Sequence, residues 1–448
     1  MASTIRALIV SYTFPPDAAV GAIRISRLCR YLPDLGIEPV VLSVDERRYD
    51  RVDPTTVTSP QINIHRTGVF PTPLDWYRNA RKFLSRTKHH EGTSFRDQAS
   101  VRSFLRRNIL ALLETPDPYA GWYLPALRKG HQLIAQQGIH LIFSSGPPWV
   151  SHLVANRLKS KHHLPWFADF RDPWAHFLPE TKGPDWHRHL LEKIEDQLIQ
   201  TADLVICNTD RLREAFVNHY SHVSAEKFRT LTNGYEDVEI PRVEKSATDR
   251  RIFLHLGSIY GLRRIDTFLD AIGTLIKAGR LNPSHFRLVF QGDVSPSLLA
   301  SAEGNILDLM ARGCLEFRPR VNRTQAQALL WSADLLLLFQ GTHELQVPAK
   351  FYEYLQTGSP IFAVTEPGAL TDLLSATDSG LHAPPGDPHR IAEQFVLAMQ
   401  TPRRNLAQIE EVSSRLHCRE ITRQLSTWIH AFANASPPPE SHSHPTMR

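Results

Sequence analysis

Short apolar runs alternate with helix-period segments along this chain, and the alternation occurs twice. Ile5–Ser11 is followed by a helical pattern around Ile25–Leu35 and then by Pro39–Ser43, the β-α-β rhythm of a parallel sheet covered on both faces. Leu141–Ser145, Trp166–Phe170 and Leu204–Asn208 read as further strands of that sheet. A second series runs through Ile252–Leu256, Arg287–Gln291, Leu315–Arg318, Leu335–Phe339 and Ile361–Val364. At 448 residues the chain suits two α/β domains of common size, and two domains imply a cleft. The polar stretch Tyr235–Arg250 has no clear period and reads as a linker (235–250) between residues 1–234 and 251–405. Residues 406–436 read as terminal helices crossing back to the first domain, and 437–448 as a disordered Pro/Ser/His tail.

A net charge of +5 with 22% charged residues is mild, and no nucleic-acid partner is expected. Cys29, Cys207, Cys314 and Cys418 lie far apart with no C-x-x-C pairing, which argues against a zinc site and a disulfide framework and fits a reducing cytoplasm. The apolar run Ala7–Val10 is too short for a signal-peptide core, and no run approaches the ~18 apolar residues of a membrane span. One segment breaks the rhythm, a basic helical insertion at about 70–130. Between Trp76 and Arg107 nine Lys/Arg face two acids, Glu91 and Asp97, with aromatic and aliphatic residues at helical spacing. Such helices could dock on the anionic inner face of the plasma membrane or pack their apolar face on the first domain.

Four stretches carry candidate chemistry. In Val347–Pro360 a proline suits a helix start and a glycine its end, and Lys350 and Glu353, three apart, share a face. Free N–H groups there can receive a diphosphate and a carboxylate can accept both ribose hydroxyls, unless the two are a solvated surface pair. After strand Ile252–Leu256, Gly257 and Gly261 allow close backbone approach, and Arg263 or Arg264 could pair with phosphate oxygens or simply face solvent. This stretch is neither a P-loop nor G-x-G-x-x-G. In the loop after the first strand, Gly21 precedes a helix and serves either a ligand or a turn. Finally, Ser144–Pro148 and Ala168–Trp174 follow consecutive strands, which puts Asp169, Arg171 and Asp172 at the mouth of the sheet, as acceptor contacts or as an ion pair bracing the loop.

Phe14-Pro15-Pro16, Ser145-Gly-Pro-Pro148, Asp169–Trp174, Asn233-Gly234 and Pro348–Tyr354, in this order, resemble the motifs of glycosyltransferase family 4, in particular its bacterial polysaccharide-type members. The resemblance runs from Ile5 to about Met399. It implies a GT-B fold, two Rossmann-like domains with parallel sheets facing across a cleft. It further implies a UDP- or GDP-sugar held mainly by the C-terminal domain, no required metal or other cofactor, and retention of anomeric configuration. Glu353 carries over as the ribose ligand, and Arg263 stands for the family's phosphate-binding lysine. Leu345 occupies the place of the first glutamate of the E-x7-E pair, with Glu344 one residue out of register. Ser258 replaces an arginine, and Gly146 lies where other members have a histidine. Without a metal, the leaving diphosphate falls to Arg263, Arg264 and Lys350, backed by Gly21, Gly257 and Ser258, while Asp172 would orient a glycan or lipid-linked acceptor. The rival readings are a nucleotide-sugar 2-epimerase of the same fold and a catalytically silent, membrane-associated scaffold.

Overall fold

A computed structural model describes residues 4–49, 51–53, 62–71, 107–177, 184–237, 250–259, 261, 263, 265–341 and 343–435. Among them thirteen strands form two wholly parallel sheets. The first contains β1 (Ile5–Val10), β2 (Ile37–Val44), β3 (Asn63–Thr67), β4 (Leu141–Gly146), β5 (Trp166–Phe170), β6 (Leu204–Cys207) and β7 (Phe228–Thr230), in the order β3-β2-β1-β4-β5-β6-β7. The second contains β8 (Arg251–Leu256), β9 (Phe286–Gln291), β10 (Leu315–Arg318), β11 (Leu335–Gly341), β12 (Ile361–Thr365) and β13 (Gly380–Ala383), in the order β10-β9-β8-β11-β12-β13. Each sheet winds outward from its first strand in both directions. The order therefore reverses between β1 and β4, and again between β8 and β11, and such switch points are where open α/β sheets receive ligands.

The chain divides into two units, one holding the described residues of Met1–Asn208, Leu212–Leu231 and Ile421–Arg448, the other Thr209–Arg211 and Thr232–Glu420. In the second unit both sheet faces are buried. Leu335, Leu337 and Phe339 join one core with Phe253 and Phe268, while Leu336 and Leu338 join another with Leu254 and Phe351. This is the period of two that turns a continuous apolar run into a central strand. In the first unit Ile5, Ile9, Phe143 and Phe167 pack with Ile421, Leu425 and Ile429 of the last helix, Cys418–Ala435. Their four-residue spacing gives that helix one apolar stripe. The preceding helix, Leu406–Ser413, belongs to the second unit.

Tyr235, the first residue of the stretch read as a linker, is buried. It donates its N–H to the Leu416 carbonyl at 3.1 Å and accepts from the Cys418 N–H at 2.8 Å. The rest of that linker from 238 to 249 lies outside the described residues, as do the tail 437–448 and all of Trp76–Arg107 except Arg107. All four cysteines are buried and unbridged. No described helix is long and apolar enough to cross a membrane.

Candidate active site

At the β8/β11 switch point the chain leaves β8 through Gly257, whose φ of +112° few L side chains adopt. Helix Ala349–Leu355 buries Phe351, Tyr352, Tyr354 and Leu355, which leaves Lys350 and Glu353 on its other face. The Tyr354 hydroxyl accepts the Leu256 N–H at 2.9 Å and pins the helix to the end of β8. Lys350 then lies against Gly257. A Cβ at that glycine would stand 2.8 Å from the Lys350 Nζ and would displace the amine, while the backbone conformation itself favours glycine.

Beneath the amine is His255, fully buried in β8. Its Nδ1 is 2.9 Å from the Leu337 carbonyl and so carries the proton, leaving Nε2 to accept from Lys350 Nζ at 3.4 Å. Burial first, and then the Lys350 charge, hold this imidazole neutral, well below its usual pKa. Lys350 itself is pushed down to about 7, chiefly by burial and then by Arg263, with Glu353 opposing the shift. A half-buried amine in this state is poised to gain both its charge and its partner from an anionic ligand.

Arg263 donates from Nη1 to the Ser258 carbonyl at 3.2 Å. The Ser258 hydroxyl accepts from Arg320 Nη2 at 2.5 Å, and the same guanidinium pairs with Asp293 at 2.5 Å. Although Ser258 replaces an expected arginine, a guanidinium from the loop after β10 stands over it. The structure thus brings Gly257, Ser258, Arg263, Lys350 and Glu353 together at one sheet end. Arg264 lies outside the described residues. The helix has seven residues, too few for its dipole to dominate, so the phosphate reading rests on cations instead.

In the first unit Asp169 is wholly buried within β5, and it is not an open contact at the sheet mouth. Arg24 grips it with Nη2 on Oδ1 at 2.8 Å and Nε on Oδ2 at 3.1 Å, and Ser145 donates to Oδ2 at 2.7 Å. The brace therefore comes from Arg24, on the helix after β1. Arg171 instead donates from Nε to the Gly146 carbonyl at 3.2 Å, and its guanidinium covers Gly21, where any Cβ would collide with it. Burial lowers the Arg171 pKa, against the pull of Asp172, which is half-buried beside it. Near Gly146 stands His152, from the helix that follows β4, taking part in a hydrogen bond with Ser144 at 2.7 Å while its Nε2 has no partner. Burial drives its pKa to about 3.

Sequence reasoning passed over Arg24, His152, His255 and Arg320. The one available signal was polar residues inside apolar runs, as in Arg-Ile-Phe-Leu-His-Leu of β8.

Residues 21–234 match the family model described as a glycosyl transferase 4-like domain, and residues 250–401 match glycosyl transferases group 1. Between them the two matches span most of the chain. It belongs to the glycosyltransferases of this 4-like, group 1 type. No curated protein matches the sequence. Among solved structures, the chain is similar to a sucrose-phosphate synthase from Thermosynechococcus elongatus, at 17% identity and a TM-score of 0.64, with 96% of this chain and 99% of that one covered. It is also similar to WaaB, a lipopolysaccharide outer core galactosyltransferase in its apo form (13%, TM-score 0.58, 95% and 99% covered). A third similar structure is the Anabaena protein HepE in complex with UDP-glucose (12%, TM-score 0.58, 95% and 100% covered). At such identities the likeness concerns the fold, and this glycosyltransferase has the two Rossmann-like domains of GT-B.

Proposed function

We propose that this glycosyltransferase moves a hexose from a UDP- or GDP-sugar to a glycan or lipid-linked acceptor in bacterial cell-surface polysaccharide or lipid-linked glycan synthesis, with retention and without a catalytic metal. The observation that carries the reading is the half-buried Lys350 amine set against Gly257, with Arg263 and Glu353 beside it. The Arg263 guanidinium, the Lys350 amine and the Glu353 carboxylate, carried by one loop and one helix, form the complement of a nucleoside diphosphate. Charge on the leaving diphosphate grows in the transition state, so Arg263 stabilises departure more than binding, while Lys350 pairs with the diphosphate on binding and Glu353 holds the ribose. The donor phosphate itself assists deprotonation of the acceptor, and Asp172 orients that acceptor. The similar structure holding UDP-glucose favours a uridine donor as the first to test.

Calorimetry with UDP-glucose, GDP-mannose and their diphosphates tests the binding step, and NMR of the product anomer tests retention. Saturable binding lost in Lys350→Met, with formation of an α-linked product from an α-donor, is the expected result. Absence of binding to every nucleotide sugar would leave the scaffold reading. A new nucleotide sugar formed without acceptor would make the chain an epimerase.

A further inference from the structure

In the first unit, two residues beyond Trp174, the loop after β5 reaches His176. Its backbone N–H donates to Glu195 Oε2 at 3.2 Å, and its Nε2 is 2.8 Å from Asp196 Oδ1. His219, the last residue of helix Asp210–His219, brings its ring to 4.2 Å from that of His176, centroid to centroid. One ligand atom from each of His176, Asp196 and His219 lies within 4.8 Å of the other two. A loop and two helices thus deliver two imidazoles and a carboxylate to one point.

We propose that His176, Asp196 and His219 form a binding site for a zinc-class divalent ion, which clamps the loop carrying Arg171 and Asp172 to these two helices. Two nitrogen donors and one carboxylate suit Zn²⁺ and its late first-row neighbours, whereas Mg²⁺ and Ca²⁺ require oxygen. Metal bonds of about 2.0–2.1 Å would bring the three donor atoms somewhat closer than they now lie. His219, exposed at a helix end, has the freedom to close that gap. Asp196 is 40% exposed, which opens the point to water as a fourth ligand.

A second observation concerns the surroundings. Glu195 is wholly buried next to Asp196, its Oε2 accepts from the His176 N–H, and its carboxyl interacts with the Tyr220 hydroxyl. The Tyr220 ring is 4.7 Å from that of His219. A buried carboxyl that holds the loop of His176 and a tyrosine packed on the His219 ring are the kind of outer shell that orients the ligands of a bound ion. The expectation against a zinc site rests on the widely spaced cysteines, and no cysteine enters this donor set.

The test uses the full chain with His442→Ala and His444→Ala, since the Ser-His-Ser-His tail could chelate independently. Stripped protein is titrated with ZnCl₂ by calorimetry and followed by thermal melting, with CoCl₂ absorption as a spectroscopic check and MgCl₂ as the control. The expected result is one equivalent of Zn²⁺ bound, a raised Tm, no effect of Mg²⁺, and visible Co²⁺ bands of low coordination number. His219→Ala and Asp196→Asn should each weaken Zn²⁺ binding about tenfold or more. Because His219 is exposed, and because the amide oxygen introduced by Asp196→Asn can still accept from His176, both variants should fold without metal. No saturable uptake of Zn²⁺, or undiminished affinity in His219→Ala, would overturn the proposal.

Discussion

At Lys350 burial and function act in opposite directions. Its folded pKa of about 7 lies below the ~10.4 of an unfolded lysine, so the unfolded chain holds more protons between these values and stability should rise with pH across that window. Lys350→Met should remove that slope and raise the urea midpoint at pH 7, while it abolishes nucleotide binding. Equal slopes in urea melts of the two proteins would show that the amine is not titrating there. For the ligand the sign reverses. A bound diphosphate restores the charge, so affinity should fall about tenfold per pH unit above 7, with proton uptake visible as buffer-dependent heat. Glu353→Ala should weaken nucleotide-sugar binding one to two orders of magnitude without unfolding, since charge-assisted hydrogen bonds contribute roughly 1.5–3 kcal/mol. Spacing put Lys350 and Glu353 on one helix face, which a solvated surface pair would equally explain, and the ribose role of Glu353 came from the family resemblance. His255 was not legible. It occupies a β8 position whose burial pattern calls for an apolar residue, and only the fold reveals the amine above it.

Among the elements, the central strands were readable as apolar runs because both of their faces are covered. The strands that escaped reading, β3, β7 and β13, are all at sheet edges. There one side lacks a neighbour and polar residues are tolerated, as in Asn-Ile-His-Arg-Thr of β3, so no apolar run marks them. Of the two readings of Asp169, the bracing ion pair is the one observed, with Arg24 rather than Arg171 as its partner. A carboxylate after three strand residues looks like a sheet-mouth group until Arg24, far away in sequence, closes on it. Asp169→Ala should therefore act as a folding defect, costing about 3–5 kcal/mol because it strands a guanidinium that is 4% exposed. Denaturant melts check this, and a stable but inactive variant would return Asp169 to the acceptor side. Gly257→Ala is the counterpart in the second unit. Its φ of +112° and the Lys350 contact predict lost nucleotide binding with a modest fall in Tm, again read by calorimetry and melting.

At the scale of the molecule, the chain carries an excess of five positive charges, while the segment Trp76–Arg107 alone carries nine basic residues against two acidic. That segment by itself more than accounts for the whole imbalance. Each Lys or Arg close to an anionic bilayer contributes about 1 kcal/mol, and Trp76, Tyr77 and Phe83 at helical spacing could enter the headgroup layer. We propose that this segment holds the glycosyltransferase at a lipid surface where a lipid-linked acceptor is presented, a weak and reversible association that nine basic residues exceed in strength. Electrostatic attraction fades over a Debye length of ~8 Å at physiological salt, whereas packing of an apolar face within the protein does not. Co-sedimentation with phosphatidylglycerol vesicles should accordingly be strong at low salt, weak at high salt, and absent with phosphatidylcholine. Charge reversal of Arg81, Lys82 and Arg86 to Glu should abolish sedimentation and leave nucleotide-sugar binding untouched, since Arg263, Lys350 and Glu353 lie in the other unit. Equal binding to both lipids, or none to either, would make the segment ordinary structure and direct the search toward a soluble acceptor.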